Sequence, residues 1–209
     1  PPVGDRGGPK RPWYLIAALL FAWVFGAAGF IDGCNDAHEL RQGYADAADH
    51  YIVNAPSEAS RVAQVDALQH YFDAKLGMSG RLYPLSIAAF LLGATLTLFA
   101  ARAMAGRSGA RNPVIQLTLV QAALVIAAFA LTRPVREAWV GVLMAQPFDT
   151  GGDTDAARII TQYFPRIYRS GYVVFLVVRT AIAAFIVIAI TRPRTRKFFE
   201  AAERRFSQL

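Results

Sequence analysis

Among the polar side chains inside otherwise apolar segments of this chain, four have types that suit the binding of an anion or a small polar solute. They are Thr95, Gln116, Gln121 and Arg179. Arg179 is the strongest candidate, because it lies eight residues inside the apolar run 171–190. In lipid, a charge at that depth costs at least about 2.5 kcal/mol unless it is paired or hydrated. We therefore expect Arg179 to bond to Gln121 or a threonine, or to an acidic group of another molecule.

The histidines could support metal chemistry. All three, His38, His50 and His70, lie in the segment between the first two apolar runs, where acidic residues accompany them. Imidazole with carboxylate is a donor set that suits zinc. However, the spacing matches no recognised ligand pair such as His-Glu-x-x-His. The pattern favours solvated histidines, and we predict no metal site.

Catalytic signatures are missing from the sequence. It contains no P-loop, nucleophile elbow, metalloprotease pair or dinucleotide fingerprint. The single cysteine, Cys34, rules out an internal disulfide and a multi-cysteine metal cage. No apolar run contains a histidine or cysteine that could ligate haem. We therefore predict that the protein is not an enzyme and has no cofactor.

The elements that position these side chains are four apolar runs, each at or near the length of a membrane helix. The runs are residues 13–30, 82–101, 114–131 and 171–190; none of them contains Asp, Glu or Lys, and 55% of all residues are hydrophobic. We predict an all-α integral membrane protein, a single four-helix transmembrane domain over residues 1–209. The predicted spans are 13–33, 82–104, 114–132 and 171–191.

Small residues recur every four positions in two of these spans, which lets helix backbones approach closely in lipid. The predicted packing positions are Ala18, Ala22 and Gly26 in the first span and Ala89, Gly93 and Thr97 in the second. These faces could contact a partner helix, or they could pack within the same bundle. We favour packing within the bundle, because four helices must bury some faces against each other.

Basic residues predict the orientation. Twelve lie in the two tails and the short loop between spans two and three, and nine lie in the two longer loops. Their higher density in the first group places both termini in the cytoplasm. The bias is moderate, because Arg133 and Arg169 lie directly at the outer ends of helices. The net charge of +7 fits this interpretation, and no base-reading module suggests nucleic acid.

The two outer loops show helical patterns. Residues 34–81 predict an acidic extracytoplasmic cap of two antiparallel helices, with Asn35 as the first cap residue and Ser57 as the second. Residues 133–170 predict an interfacial helix around Trp139, which lies flat on the membrane or packs under the cap, and a further short helix. The tail 194–209 predicts a basic amphipathic helix that contacts the membrane surface or a partner.

Two functions fit these features. The first is a non-catalytic accessory or scaffolding subunit of a larger assembly, which would contact lipids and other subunits in a bacterial inner membrane. The second is a small transporter or channel that uses Thr95, Gln116, Gln121 and Arg179 to line a path for an anionic or small polar solute. The first is favoured, because the spans contain few polar groups.

Overall fold

The computed structural model describes residues 11–42, 57–146 and 154–206, and in these ranges the chain is helical without any β-strand. The described helices are α1 (Trp13–Gln42), α2 (Glu58–Gly77), α3 (Ser79–Met104), α4 (Arg111–Leu131), α5 (Arg133–Ala145), α6 (Thr154–Thr191) and α7 (Pro193–Phe206), with a 3-10 turn at Ser108–Ala110. Four of them, α1, α3, α4 and α6, are long and apolar enough to cross a membrane. The predicted all-α membrane protein with four spans is therefore confirmed.

The first span extends further than the apolar run that predicts it. Helix α1 continues through Asn35 to Gln42, so the prediction that Asn35 caps a new helix is wrong. The polar residues after Ile31 include no proline, and the single Gly33 costs only about 1 kcal/mol relative to Ala. The helix therefore continues beyond its apolar part. The rest of the predicted first cap helix, with His50, lies outside the described residues.

The fourth span is also longer than predicted. Helix α6 covers Thr154–Thr191, so the short helix expected before the span and the span itself are one element. Pro165 lies inside this helix, where it removes one backbone hydrogen bond without ending the helix. Gly171, which was expected to mark the start of the span, is likewise an interior residue. An uninterrupted helix thus carries Arg169, Tyr172 and Arg179.

The chain divides into two compact units. Unit one comprises Pro1–Asp32, Ala88–Leu124 and Val178–Leu209, and unit two comprises Gly33–Ile87 and Val125–Val177. Unit one contains parts of all four spans. There α4 bonds to α1, since the amide of Gln121 donates to the carbonyl of Phe25. Helix α4 also bonds to α6, since Arg111 donates to the carbonyl of Ile190. The unit is a helical bundle.

Unit two contains helices α2 and α5, which pack on each other. Ser57 caps α2 as predicted, because its hydroxyl accepts the backbone N–H of Ser60 at 3.2 Å. The buried apolar side chains around this contact are those of α2 and α5, together with Leu82 of α3; they are Leu68, Tyr71, Phe72, Val135, Ala138 and Val142. Trp139 packs against them, with its ring centroid 5.0 Å from that of Tyr71. The helix expected around Trp139 therefore packs against the second predicted cap helix.

Candidate functional site

The intramembrane arginine is paired within its own chain. A terminal nitrogen of Arg179, Nη2, donates to Oδ2 of Asp32 at 2.6 Å. The Arg179 side chain is 19% exposed and that of Asp32 is 50% exposed. The anticipated partner class, an acidic group, is present, but it belongs to α1 and not to another molecule. The ion pair joins two spans inside unit one.

The geometry of helices explains how the ion pair forms. Side chains lean toward the N-terminus of their helix, so Arg179 leans toward the end of α6 at which its apolar run begins. Asp32 follows the apolar part of α1 directly. In a chain that crosses four times, the end of the first span and the beginning of the fourth face the same side. Sequence reasoning missed the ion pair because Asp32 follows the apolar run 13–30 and was not considered among the polar groups of the spans.

Gln121 has a separate partner. Its side chain is only 2% exposed, and Nε2 donates to the carbonyl oxygen of Phe25 at 3.0 Å. Its Oε1 is buried and has no hydrogen-bond partner in the described structure. The expected bond between Arg179 and Gln121 is therefore wrong. A Cβ at Gly29 would overlap the Gln121 amide, so the amide fits only because residue 29 is a glycine.

Of the predicted small-residue positions, Gly26, Gly93 and Thr97 lie at the contact between α1 and α3 in unit one. A Cβ added at Gly26 would lie 2.7 Å from Oγ1 of Thr97 and 2.9 Å from the carbonyl oxygen of Gly93. A Cβ at Gly93 would lie 2.6 Å from the carbonyl oxygen of Gly26. Ala18 and Ala22 are fully buried, and the carbonyl oxygen of Ala89 lies 3.7 Å from a Cβ at Gly29. These faces meet each other within the chain.

The remaining predicted binding residues are dispersed. Thr95 donates its hydroxyl to the carbonyl of Leu91, one turn earlier in its own helix, at 2.7 Å. Gln116 is exposed. Thr118, which was not singled out, is fully buried and donates to the carbonyl of Val114. Thr95, Gln121 and Arg179 thus bond to three different partners, so the structure does not gather the four residues into one site.

Unit two contains a cavity of about 230 Å³ with a basic lining. Its polar residues are Arg133, Arg136, Glu137, Arg169 and Tyr172, and its apolar residues are Phe129, Val140 and Val173. They come from the end of α4, the first turns of α5 and the middle of α6. Sequence reasoning did not predict this site, because it interpreted Arg133 and Arg169 as separate charges at helix ends.

Arg136 is held firmly in this cavity. Its guanidinium lies over the ring of Phe129, 3.8 Å from the centroid. Its Nη1 donates to the carbonyl of Phe129 and, at 2.7 Å, to the hydroxyl of Thr132. Burial is the largest influence on its pKa and lowers it, with a further lowering by the charge of Arg133, against the opposing influence of Tyr172 and Glu137.

A second charged cluster in unit two surrounds Lys75, whose ammonium is buried. Its Nζ lies 2.5 Å from Oε2 of Glu39 and 3.2 Å from Oδ1 of Asp36, and it donates to the hydroxyl of Tyr71 at 3.4 Å. Burial is the largest influence and lowers the Lys75 pKa, but Tyr71 and the two carboxylates outweigh it, so the net pKa is raised. The cluster ties the end of α1 to α2.

The metal candidates give no cluster in the described ranges. His38 and His70 are exposed, and no three His, Cys, Asp or Glu side chains among the described residues converge closely enough to hold an ion. His50 lies outside those ranges. Among the described residues, no group of side chains is therefore arranged to coordinate a metal ion.

The C-terminal helix α7 is partly covered by the chain. Phe199 and Thr195 are buried in unit one, and the hydroxyl of Thr195 donates to the carbonyl of Ala189 at 2.9 Å. The guanidinium of Arg11 lies 5.2 Å from the centroid of Phe198. Part of the aromatic face that was expected on the membrane or a partner thus packs against the protein itself.

Fold and contacts together define a multi-pass helical membrane protein. No protein-family model, curated protein or solved structure matches the chain.

Proposed function

We propose that this protein is a non-catalytic accessory or scaffolding subunit of a larger membrane assembly. The observation that carries the proposal is the ion pair of Asp32 and Arg179, in which the carboxylate side chain is half exposed. Where such a carboxylate faces lipid at the end of a span, it is costly, because lipid cannot solvate the exposed part of the charge. A polar side chain on a partner helix would cover Asp32 and remove this cost.

The other polar groups of the spans support a structural role. Gln121 bonds to the Phe25 carbonyl, and Thr95 bonds within its own helix. A bond between helices, such as that of Gln121, stabilises a helical bundle in lipid and is worth about 1 kcal/mol. Both bonds leave these side chains engaged, so the subunit proposal is favoured over the anion path. Because the small-residue faces of α1 and α3 already contact each other, the partner surface includes the edge of α1 that bears Asp32.

The proposal includes the location of the protein. The protein lies in a bacterial inner membrane with both termini in the cytoplasm. Helices α2 and α5 form an extracytoplasmic cap that offers a second contact surface. The greater density of basic residues in the tails supports this orientation.

Orientation is tested with the natural cysteine. Cys34 is exposed and is the only cysteine in the chain, so its labelling reports one position. We expect a membrane-impermeant maleimide to label Cys34 in intact cells, and a C-terminal tag to become reachable only after permeabilisation. Labelling with the opposite sidedness would contradict the orientation.

The subunit proposal is tested by the native size of the protein and its charge variants. In mild detergent we expect the wild type to migrate as part of a complex larger than its own 22.8 kDa. Asp32→Asn removes the ion pair and releases the protein from that complex. Arg158→Gln is the control, because Arg158 forms only an exposed pair with Asp155 at 3.8 Å.

The charge swap D32R/R179D separates the two explanations of the ion pair. It restores an ion pair between α1 and α6 but reverses the charge presented to a partner. We expect the swapped protein to fold and to remain unassembled. Full assembly of both D32N and the swapped protein would contradict the proposal, and so would a wild type that migrates as a lone monomer.

A further inference from the structure

We propose that the basic cavity of unit two binds the phosphate of an anionic phospholipid headgroup. The cavity is defined by Arg133, Arg136, Glu137, Arg169 and Tyr172, with an apolar wall that includes Phe129. This proposal concerns lipid and does not depend on the subunit proposal, since none of its residues belongs to the ion pair of Asp32 and Arg179.

Charge balance is the first argument. Three arginines and one glutamate line the cavity. Arg169 forms an ion pair with the glutamate, because its Nε and Nη2 lie 2.9 Å and 2.7 Å from Oε2 of Glu137. Arg133 and Arg136 are then left without a carboxylate among the described residues, so the cavity has two uncompensated positive charges. Guanidinium groups match the oxygens of phosphate in geometry, and an anion would relieve their repulsion.

The available donors are the second argument. Of the three guanidinium nitrogens of Arg136, only Nη1 bonds within the described structure, so Nη2 and Nε remain as donors in a side chain that Phe129 and Thr132 already orient. The side chain of Arg133 is exposed and makes no hydrogen bond to a described residue. One fixed and one adaptable guanidinium therefore face the same cavity, which is a preorganised arrangement for an anion.

The start of α5 adds to the positive potential. Thr132 is the N-cap residue, but its hydroxyl makes no cap bond. It donates instead to the carbonyl of Ala128 at 2.7 Å. The positive end of the helix dipole thus lies beside Arg133 and Arg136 without a side-chain acceptor, and helix N-termini favour phosphate.

Location favours a lipid over a free anion. Arg133 follows the end of the third span by two residues, and Tyr172 lies where the apolar run of α6 begins. Basic and aromatic residues at span ends lie at the depth of lipid headgroups. The volume of about 230 Å³ is smaller than that of small-molecule pockets, which start at roughly 300 Å³, so it suits a headgroup whose acyl chains remain outside. Basic residues are less frequent on the proposed outer side of the membrane, and lipid binding would account for the arginines of the cavity there.

The test measures lipid binding to the purified full chain by native mass spectrometry after delipidation. The protein is reconstituted with phosphatidylcholine, with or without phosphatidylglycerol, and in a third arm with phosphatidylcholine and inorganic phosphate. We expect one phosphatidylglycerol to be retained and its apparent affinity to fall about tenfold or more in Arg133→Gln, which loses one charge-assisted bond. Arg133→Lys keeps the charge and is expected to lose less.

Arg166→Gln is the matched control, because Arg166 is an exposed arginine of α6 that does not line the cavity. We expect it to bind phosphatidylglycerol like the wild type. Arg133→Gln breaks no described hydrogen bond, so its helicity is expected to be unchanged by circular dichroism. Equal retention of phosphatidylglycerol by Arg133→Gln and the wild type would overturn the proposal. If inorganic phosphate bound the cavity and phosphatidylglycerol was not retained, the assignment to a lipid headgroup would be overturned.

Discussion

Unit one and unit two use different means to hold helices together. In unit one the contact between α1 and α3 depends on Gly26 and Gly93, and the polar side chain of Gln121 bonds to a backbone carbonyl. In unit two α2 and α5 pack through rings such as Tyr71 and Trp139, and buried Lys75 bonds to two carboxylates. Lipid gives no hydrophobic driving force between helices, so close backbone contact replaces it. Helices α2 and α5, which we propose lie outside the membrane, would gain from aromatic burial there because water surrounds them.

The largest loss of stability that tests this difference between the units is expected on substitution of Gly93. In Gly93→Ala the new Cβ would lie 2.6 Å from the carbonyl oxygen of Gly26 and 2.8 Å from the carbonyl carbon of Gly29, and backbone atoms cannot move aside at low cost. We expect a loss of about 3 kcal/mol or more in the free energy of unfolding. Thermal unfolding in detergent measures it. Gly80→Ala in the same helix is the control, since a Cβ there meets nothing within 4 Å; equal stability of the two variants would refute the close-contact account.

The next largest effect is expected at Lys75 in unit two. Lys75→Met keeps an apolar stem but leaves Glu39 and Asp36 without their cation. We expect a loss of about 2 kcal/mol in the free energy of unfolding, less than for a fully buried pair because Asp36 is largely exposed. Thermal unfolding at neutral pH measures this loss. Asp36→Asn should cost less than Lys75→Met, and the reverse order would show that the ammonium does not organise this cluster.

The smallest effect is expected at Gln121. Gln121→Leu removes the bond to Phe25 but also removes a buried Oε1 that has no described partner. The two changes oppose each other, so we expect stability to change by less than about 1 kcal/mol. A matched thermal unfolding experiment on Gln121→Ala should show a greater loss, because it leaves a cavity. A large loss in Gln121→Leu would instead show that this hydrogen bond is the main contact between α4 and α1.

Local pattern predicted the four apolar helices but not where α1 ends or α6 begins, and it failed on the pairings. Four apolar runs predicted the spans, because length and hydropathy suffice for that. The cap at Ser57 was equally local. The ion pair joins residues that are 147 positions apart, and no periodicity relates Asp32 to Arg179. The cavity of unit two was also missed because its residues are distant in the sequence: Arg136 and Arg169 line one cavity only when α5 and α6 pack together.

The most direct test of the subunit proposal is photo-crosslinking beside the ion pair in native membranes. Benzoylphenylalanine is placed at Ile31, which is exposed next to Asp32 and leaves the ion pair intact, and at Leu98, an exposed control in the same unit. The proposal predicts a discrete, heavier crosslinked band from position 31 that is lost when Asp32→Asn is added, and no such band from position 98. Only the uncrosslinked 22.8 kDa chain from both positions would contradict it.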